Sequence, residues 1–391
     1  MQQPTEAPTA ARIAAPHLQV VSPAPMRRDG MLQFKELGRL ELELGGCLPS
    51  ITLAYRTWGQ LNAAGDNAVL VVHALTGDSN AGNQDGWWAP LIGPGKLLDT
   101  NELFVVCSNV IGGCQGSTGP ASIDPKAGRP YAMNFPLITI GDMVAAQRRL
   151  VEQLGAKEVF VIGGSIGGFQ VLEWATRHAD IVTGSATIAA SGALGPQGIA
   201  LNEAGRRAIM ADPDWHDGDY ARHGTVPSNG LAIARMIAMV TYHSRESMRA
   251  RFGRQPATRP GIYPAFGTTF DVEGYIHYHG AALVRRFDAN SYLYLTRAMD
   301  MYDLARDGDE PGWLSKANAP MFFAGIRTDW LFPPDEIKIL AEHAGEQGIE
   351  SEYHEIDSPD GHDAFLKEWD QLNAILTPFV DRRFNLVRTT S

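Results

Sequence analysis

A serine set among glycines is the first residue here that could do chemistry. Gly163-Gly164-Ser165-Ile166-Gly167-Gly168 follows the apolar run Val159–Ile162 and precedes a helical stretch. G-x-S-x-G between a strand and a helix is the pattern of a nucleophile elbow, a turn so tight that residues two before and two after the serine must lack bulk. Gly163 and Gly167 meet that demand, and Gly164 and Gly168 relax it further. Ser165 would then project above a sheet at a helix N-terminus, where an anionic intermediate is favoured. A Gly-rich phosphate loop is the competing reading, but the Lys-Ser/Thr of a P-loop is missing.

A serine hydroxyl is a poor nucleophile until a base takes its proton. The elbow predicts an acid and then a histidine further along the chain. Asp329 in GIRTDWLFPP and His362 in SPDGHDAFL fit that order, each in a loop after an apolar run. His362 is expected to act as the base, with Asp329 holding its tautomer and stabilising the imidazolium. Asp360 and Asp363 are rival carboxylates, too close to His362 in sequence for the acid's usual strand-end position. An oxyanion hole needs two backbone N–H donors. Ile166 is the expected first donor, and Leu75, in the loop His73–Gly77, the second. A second Gly-rich loop, Ile111–Pro120, should lie on the same sheet edge, where Cys114 reads as lining and not as a nucleophile. His73 reads as shaping its loop. His277 and His279 form an H-x-H without a third ligand at suitable spacing, so no metal is expected.

These residues need a scaffold that brings distant loops together. Residues 37–57 alternate around Gly45-Gly46 and predict a hairpin. Short apolar runs at Ala68–Val72, Leu103–Cys107, Val159–Ile162, Gly184–Ala189, Met321–Ala324 and Tyr353–Ile356 are of the kind buried in a parallel sheet. Helical patterns lie between them, including one capped by Thr139 and Asp142, one over Phe169–His178, one over Asp335–Ala344 and one over Ala364–Val380. The alternation predicts an α/β fold: a mostly parallel sheet covered by helices on both faces. From about Leu194 to Met299 no buried-strand run occurs, so this stretch is expected to be a helical insertion. The division is therefore a tail over 1–30, a discontinuous core over 31–193 and 300–391, and a helical lid over 194–299.

Composition excludes other classes. The 391 residues carry 33 Lys and Arg against 44 Asp and Glu, a net charge of −11. A nucleic-acid partner would call for a basic surplus. No apolar run approaches the ~18 residues of a membrane span. Three cysteines do not make a disulfide framework and fit a reducing cytoplasm. The Ala/Pro-rich N-terminus lacks the pattern of a targeting signal.

Taken together, HALTGDSN at 73–80, GWWAPLIGPGK at 86–96, CSNVIGGCQGSTGP at 107–120, GGSIGG at 163–168, FDANSYLYLTRAMD at 287–300 and GHDAFL at 361–366 resemble the homoserine O-acetyltransferase family, in matching order from about Leu40 to Phe379. The resemblance implies an α/β-hydrolase core, a helical lid, and ping-pong transfer of acetyl from acetyl-CoA through Ser165 to L-homoserine, for methionine synthesis. It implies no resident cofactor, and a homodimer joined through lid helices. By motif, NEAGRRAI puts the substrate-carboxylate arginine at Arg206, with Arg207 as rival. MVTYHS puts a substrate-contacting tyrosine at Tyr242, and Asp363 matches the position that holds the substrate ammonium. Family members often carry Met where Ile166 and Phe169 stand, which leaves room for a reshaped acyl pocket. Relatives using succinyl-CoA or accepting serine share these motifs, and an esterase or thioesterase could use the same triad.

Overall fold

The computed structural model describes residues 29–257, 266–306 and 310–386. Residues 1–28 of the expected tail lie outside them. Strands that are apolar at every position need cover on both faces, and β3 (Ala68–Val72), β5 (Val159–Gly164) and β7 (Met321–Ile326) are buried throughout. With β1 (Gln33–Glu41), β2 (Cys47–Trp58), β4 (Phe104–Ser108), β6 (Val182–Ile188) and β8 (Ser351–Ile356) they form one sheet in the order β1-β2-β4-β3-β5-β6-β7-β8. The β1–β2 hairpin and the β2–β4 pair are antiparallel, and every other pair is parallel.

Alternate side chains of a strand point to opposite faces, so each buried strand feeds two cores. Val69, Val71, Phe160, Ile162, Phe322 and Ala324 pack on one side. Leu70, Val72, Val159, Val161, Met321 and Phe323 pack on the other. Helices α1 (Ile140–Gln153) and α2 (Ile166–Arg177) cover the second face. Thr139 starts α1 as the sequence predicts. Its hydroxyl accepts the Asp142 N–H at 3.1 Å, while the Asp142 carboxylate accepts the Thr139 N–H at 2.9 Å.

Between β6 and β7 the chain runs through α3 (Pro196–Met210), α4 (Ser228–Tyr242), α5 (Arg245–Phe252), α6 (Asp271–Val284) and α7 (Ala289–Met301). After β7, α8 (Pro334–Glu346) joins the second face. The last helix, α9 (Trp369–Phe384), covers the first. It begins five residues later than its apolar pattern predicts. Gly361–Leu366 is a separate 3₁₀ turn, broken from α9 at Lys367, and the Trp88 indole N–H takes the Phe365 carbonyl at 3.0 Å. This short turn carries His362. Because β3, β5, β7 and β8 run parallel, the loops after them gather at one edge, where open α/β sheets place their sites.

Candidate active site

Ser165 has φ 61° and ψ −131°, backbone that L-residues rarely adopt. The turn is enforced by what surrounds it. A Cβ at Gly163 would stand 2.6 Å from the Val72 carbonyl oxygen, and one at Gly167 2.5 Å from the same atom. A Cβ at Gly164 would meet the Phe365 ring at 2.6 Å, and one at Gly168 would meet Ala190. The elbow is thus wedged between β3, the His362 turn and the loop after β6. α2 starts at Ile166, directly behind the serine, three residues before its apolar periodicity begins.

Asp329 follows β7. Its Oδ1 accepts the N–H groups of Leu331 at 2.9 Å and Phe332 at 3.1 Å, which turns Oδ2 toward His362 Nδ1, 2.6 Å away. Both side chains are almost fully buried. Burial opposes charge on His362, but the charge and hydrogen bond of Asp329, aided by Asp363, outweigh it and raise the imidazole above its usual value. With Nδ1 engaged, Nε2 is the remaining ring nitrogen; it is buried and has no hydrogen-bond partner among the described residues. The His362 ring lies 5.9 Å from that of Tyr242 and 5.3 Å from that of Phe332.

Ser165, Leu75, Asn202, Thr241, Tyr242 and Tyr292 line one cavity of about 20 Å³, room for little more than a water molecule. The amides of Leu75 and Ile166 donate to no other group among the described residues. Gly168 and Phe169 already take the Ser165 carbonyl, at 2.7 and 3.3 Å. The Ile166 N–H at the start of α2 is therefore free to meet an anion. Ile166 and Phe169 do not line this cavity. Phe169 stacks on Tyr302 at 4.5 Å and meets Phe332 edge-on at 5.5 Å, and Phe332 in turn packs on His362. The Cys114 thiol is pushed up to about 11 by burial, and it accepts the Asp288 N–H. No group of three His, Cys, Asp or Glu side chains placed to hold a metal lies among the described residues.

The structure engages Arg206 with other side chains. Arg206 does not line the Ser165 cavity. Its guanidinium is buried and committed, 2.7 Å from Asp300 and 2.9 Å from Glu203. The Asp300 contact is ionic and too poorly aligned to count as a hydrogen bond. The rival Arg207 is exposed and pairs with Glu203 at 2.8 Å. A cation near Tyr242 is Arg235, which lines the adjoining cleft and not the Ser165 cavity, with its guanidinium carbon 5.2 Å from the Tyr242 ring centre. It stands two turns before Tyr242 on α4, an i, i+7 spacing that puts both on one face and that the sequence already displayed. Tyr242 does line the cavity. Asp363 is half-buried beside His362, and its carboxylate has no hydrogen-bond or ion-pair partner among the described residues. Burial raises the Tyr242 hydroxyl, Arg235 opposes this and Asp363 adds to it, so both charges act on one phenol.

A cleft of about 400 Å³ adjoins the site, lined by Ala74, Thr76, Gly77, Trp87, Arg235 and Arg286 among others. Arg286 donates to the Thr76 carbonyl at 2.7 Å. Neither arginine is ion-paired with a carboxylate among the described residues.

Comparison with known proteins agrees with this fold. Residues 67–368 match the family model described as alpha/beta hydrolase fold. The homoserine O-acetyltransferase of Symbiobacterium thermophilum is 49% identical over 341 residues, 84% of this chain and 88% of that one. Among solved structures, a homoserine O-acetyltransferase from Bacillus anthracis superposes with a TM-score of 0.84 at 25% identity, covering 92% of this chain and 99% of that one. An acetylester hydrolase from Corynebacterium glutamicum superposes with a TM-score of 0.75 at 26% identity, covering 90% and 96%. On the nucleophile elbow, the fold and these relatives, the chain belongs to the homoserine O-acetyltransferase family of the α/β-hydrolase fold.

Proposed function

We propose that the protein moves an acetyl group from acetyl-CoA to the hydroxyl of L-homoserine through an acetyl-Ser165 intermediate, feeding methionine synthesis. His362 Nε2 takes the Ser165 proton as Oγ attacks the thioester carbonyl. The oxyanion accepts from the Leu75 and Ile166 amides. The C–S bond then breaks, His362 returns the proton to the thiolate, and coenzyme A leaves. The homoserine hydroxyl enters next and gives its proton to His362 as its oxygen attacks the acetyl carbonyl. Ser165 Oγ leaves with that proton, and the ester is released.

The observation that carries this reading is the pair of uncommitted charges flanking Tyr242. A zwitterionic acceptor needs a cation for its carboxylate and an anion for its ammonium. Arg235 offers the planar fork suited to a carboxylate, and Asp363 offers the anion. The 20 Å³ cavity has no charged side chain among its lining residues, which favours acetyl over succinyl, whose second carboxylate would be buried unpaired. Arg235 and Arg286 offer an anionic thioester two cations in the adjoining cleft, which Asp78 and Asp85 also line. Ile233, Val240 and Tyr278, 46%, 49% and 65% exposed on α4 and α6, support pairing with a second copy through the helical layer. Light scattering should then give twice the monomer mass.

The test is coenzyme A release from acetyl-CoA with and without L-homoserine, crossed with succinyl-CoA and L-serine. Acetyl transfer to homoserine is expected, with no more than one equivalent of coenzyme A released in its absence; continued turnover independent of any amino-acid acceptor would overturn the reading. That outcome belongs to the second reading, hydrolysis of acetyl esters on the same triad, which the likeness to the C. glutamicum acetylester hydrolase favours.

A further inference from the structure

The Leu75 amide is one half of a peptide group whose other half is the Ala74 carbonyl. Peptide planarity ties the two, so whatever holds the carbonyl aims the N–H. Ala74 O is held twice, by His73 Nδ1 at 2.8 Å and by the Gly77 N–H at 2.9 Å. His73 Nε2 lies 3.2 Å from the Val110 amide and accepts from it. A ring nitrogen that accepts carries no proton, so the network puts the proton on Nδ1, where it donates to Ala74 O. The ring is 4% exposed, and burial lowers its pKa, so it stays neutral in this tautomer. The result is a chain of hydrogen bonds from Val110 N–H through the imidazole to Ala74 C=O and on to Leu75 N–H, which ends at the Ser165 cavity with nothing to donate to among the described residues.

We propose that His73 is a positioning residue of the oxyanion hole: by donating to the Ala74 carbonyl it aims and polarises the Leu75 N–H toward the charge that develops on the substrate oxygen. Hydrogen bonds in such a chain strengthen one another in a low-dielectric interior. A preset donor also costs no reorganisation when the charge appears. No proton crosses the chain and His73 does not titrate. The inference rests on the acyl-Ser165 reading above, but not on which acceptor follows.

The experiment therefore uses the acylation half-reaction alone. Stopped-flow acylation of the full-length enzyme by p-nitrophenyl acetate is compared with the affinity of phenylboronic acid, whose adduct on Ser165 mimics the tetrahedral state. His73→Leu should slow acylation by about 10- to 100-fold, less than the ~10²–10³ for losing a donor outright. Boronate affinity should fall by a similar factor and KM should hardly move. His73→Asn, which restores an N–H near Nδ1, should recover most of the rate. His73→Gln, which keeps an acceptor for Val110 but no donor at Nδ1, should not. This Asn–Gln contrast decides the matter even where the Leu variant fails to fold. Equal rates in folded Asn and Gln variants, or a pH limb lost with His73, would overturn the proposal. A wild-type enzyme that Ser165 acylation never touches would instead overturn the parent reading.

Discussion

On the proposed mechanism, protonation of one imidazole sets the pH range in which Ser165 can be activated. His362 must be neutral to take a proton, and its pKa is raised by the buried Asp329 contact. The acid limb of kcat/KM should thus lie above the ≈ 6.5 of an unperturbed histidine, with activity falling as pH falls through it. Asp329→Asn removes the charge that favours the imidazolium while burial remains. The limb should move to lower pH and kcat should drop by roughly 10⁴, the order seen when a triad loses its acid; a pH–rate profile measures both. Arg235 and Arg206 make a contrasting pair. Arg235→Met should raise KM for homoserine about 10- to 100-fold, from the ~1.5–3 kcal/mol of a hydrogen bond to a charged group, and leave acylation by the uncharged p-nitrophenyl acetate intact. Arg206→Met should leave KM alone but strand the buried Asp300, costing ~3–5 kcal/mol in urea unfolding. The strand–helix turn at Ser165 and the pairing of Asp329 with His362 were legible because chain order and strand-end position constrain them. The arginine was not. NEAGRRAI offers a helical Arg with the right neighbours, yet only packing reveals that Glu203 and Asp300 already hold it.

Elements are where turn chemistry and periodicity compete. At the β5–α2 junction four glycines erase the apolar pattern, so periodicity starts the helix at Phe169 while the chain starts it at Ile166. At the C-terminus the pattern overran in the other direction, because Ala364 and Phe365 are buried like helix residues although they sit in the 3₁₀ turn of His362. Burial is visible in sequence; the hydrogen bond from Trp88 that takes the Phe365 carbonyl is not. The strands β3, β5 and β7 were legible because both faces are covered and every residue is apolar. The elbow itself gives a sharp expectation. Gly167→Ala puts a methyl 2.5 Å from a main-chain oxygen that cannot swing away. It should cost ~1–3 kcal/mol as overpacking and slow acylation together with stability, read by urea titration and by the p-nitrophenyl acetate burst.

At the scale of the whole molecule, the helical layer and the catalytic edge are fastened to each other at the α4–α5 corner. The Trp330 indole, next to Asp329, donates to the His243 carbonyl at 3.1 Å. Ser244 Oγ donates to the Pro359 carbonyl, and Ser247 Oγ donates to Asp360 at 2.8 Å. Gly361, φ 71°, presses so close that a Cβ would stand 2.6 Å from Ser244 N. The loops of Asp329 and His362 thus rest on one corner of the inserted helices. Loss of activity in urea should then track loss of tryptophan fluorescence and helicity in one transition. Inactivation well before any change in helicity would show that the two parts separate. None of this was legible in the sequence, since these contacts join residues some 85 to 115 positions apart.

The backbone of Ser165 sets durability against function. Its φ of 61° is imposed by neighbours, whether or not a substrate is present, and a residue held in such a region costs on the order of 1–3 kcal/mol. Glycine visits that region freely. Ser165→Gly should therefore melt higher than the wild type, by an amount worth about 1 kcal/mol, while forming no acyl-enzyme. Selection for thermal robustness alone would drift toward a dead protein, and any stabilised library of this chain needs an activity screen beside the thermal one.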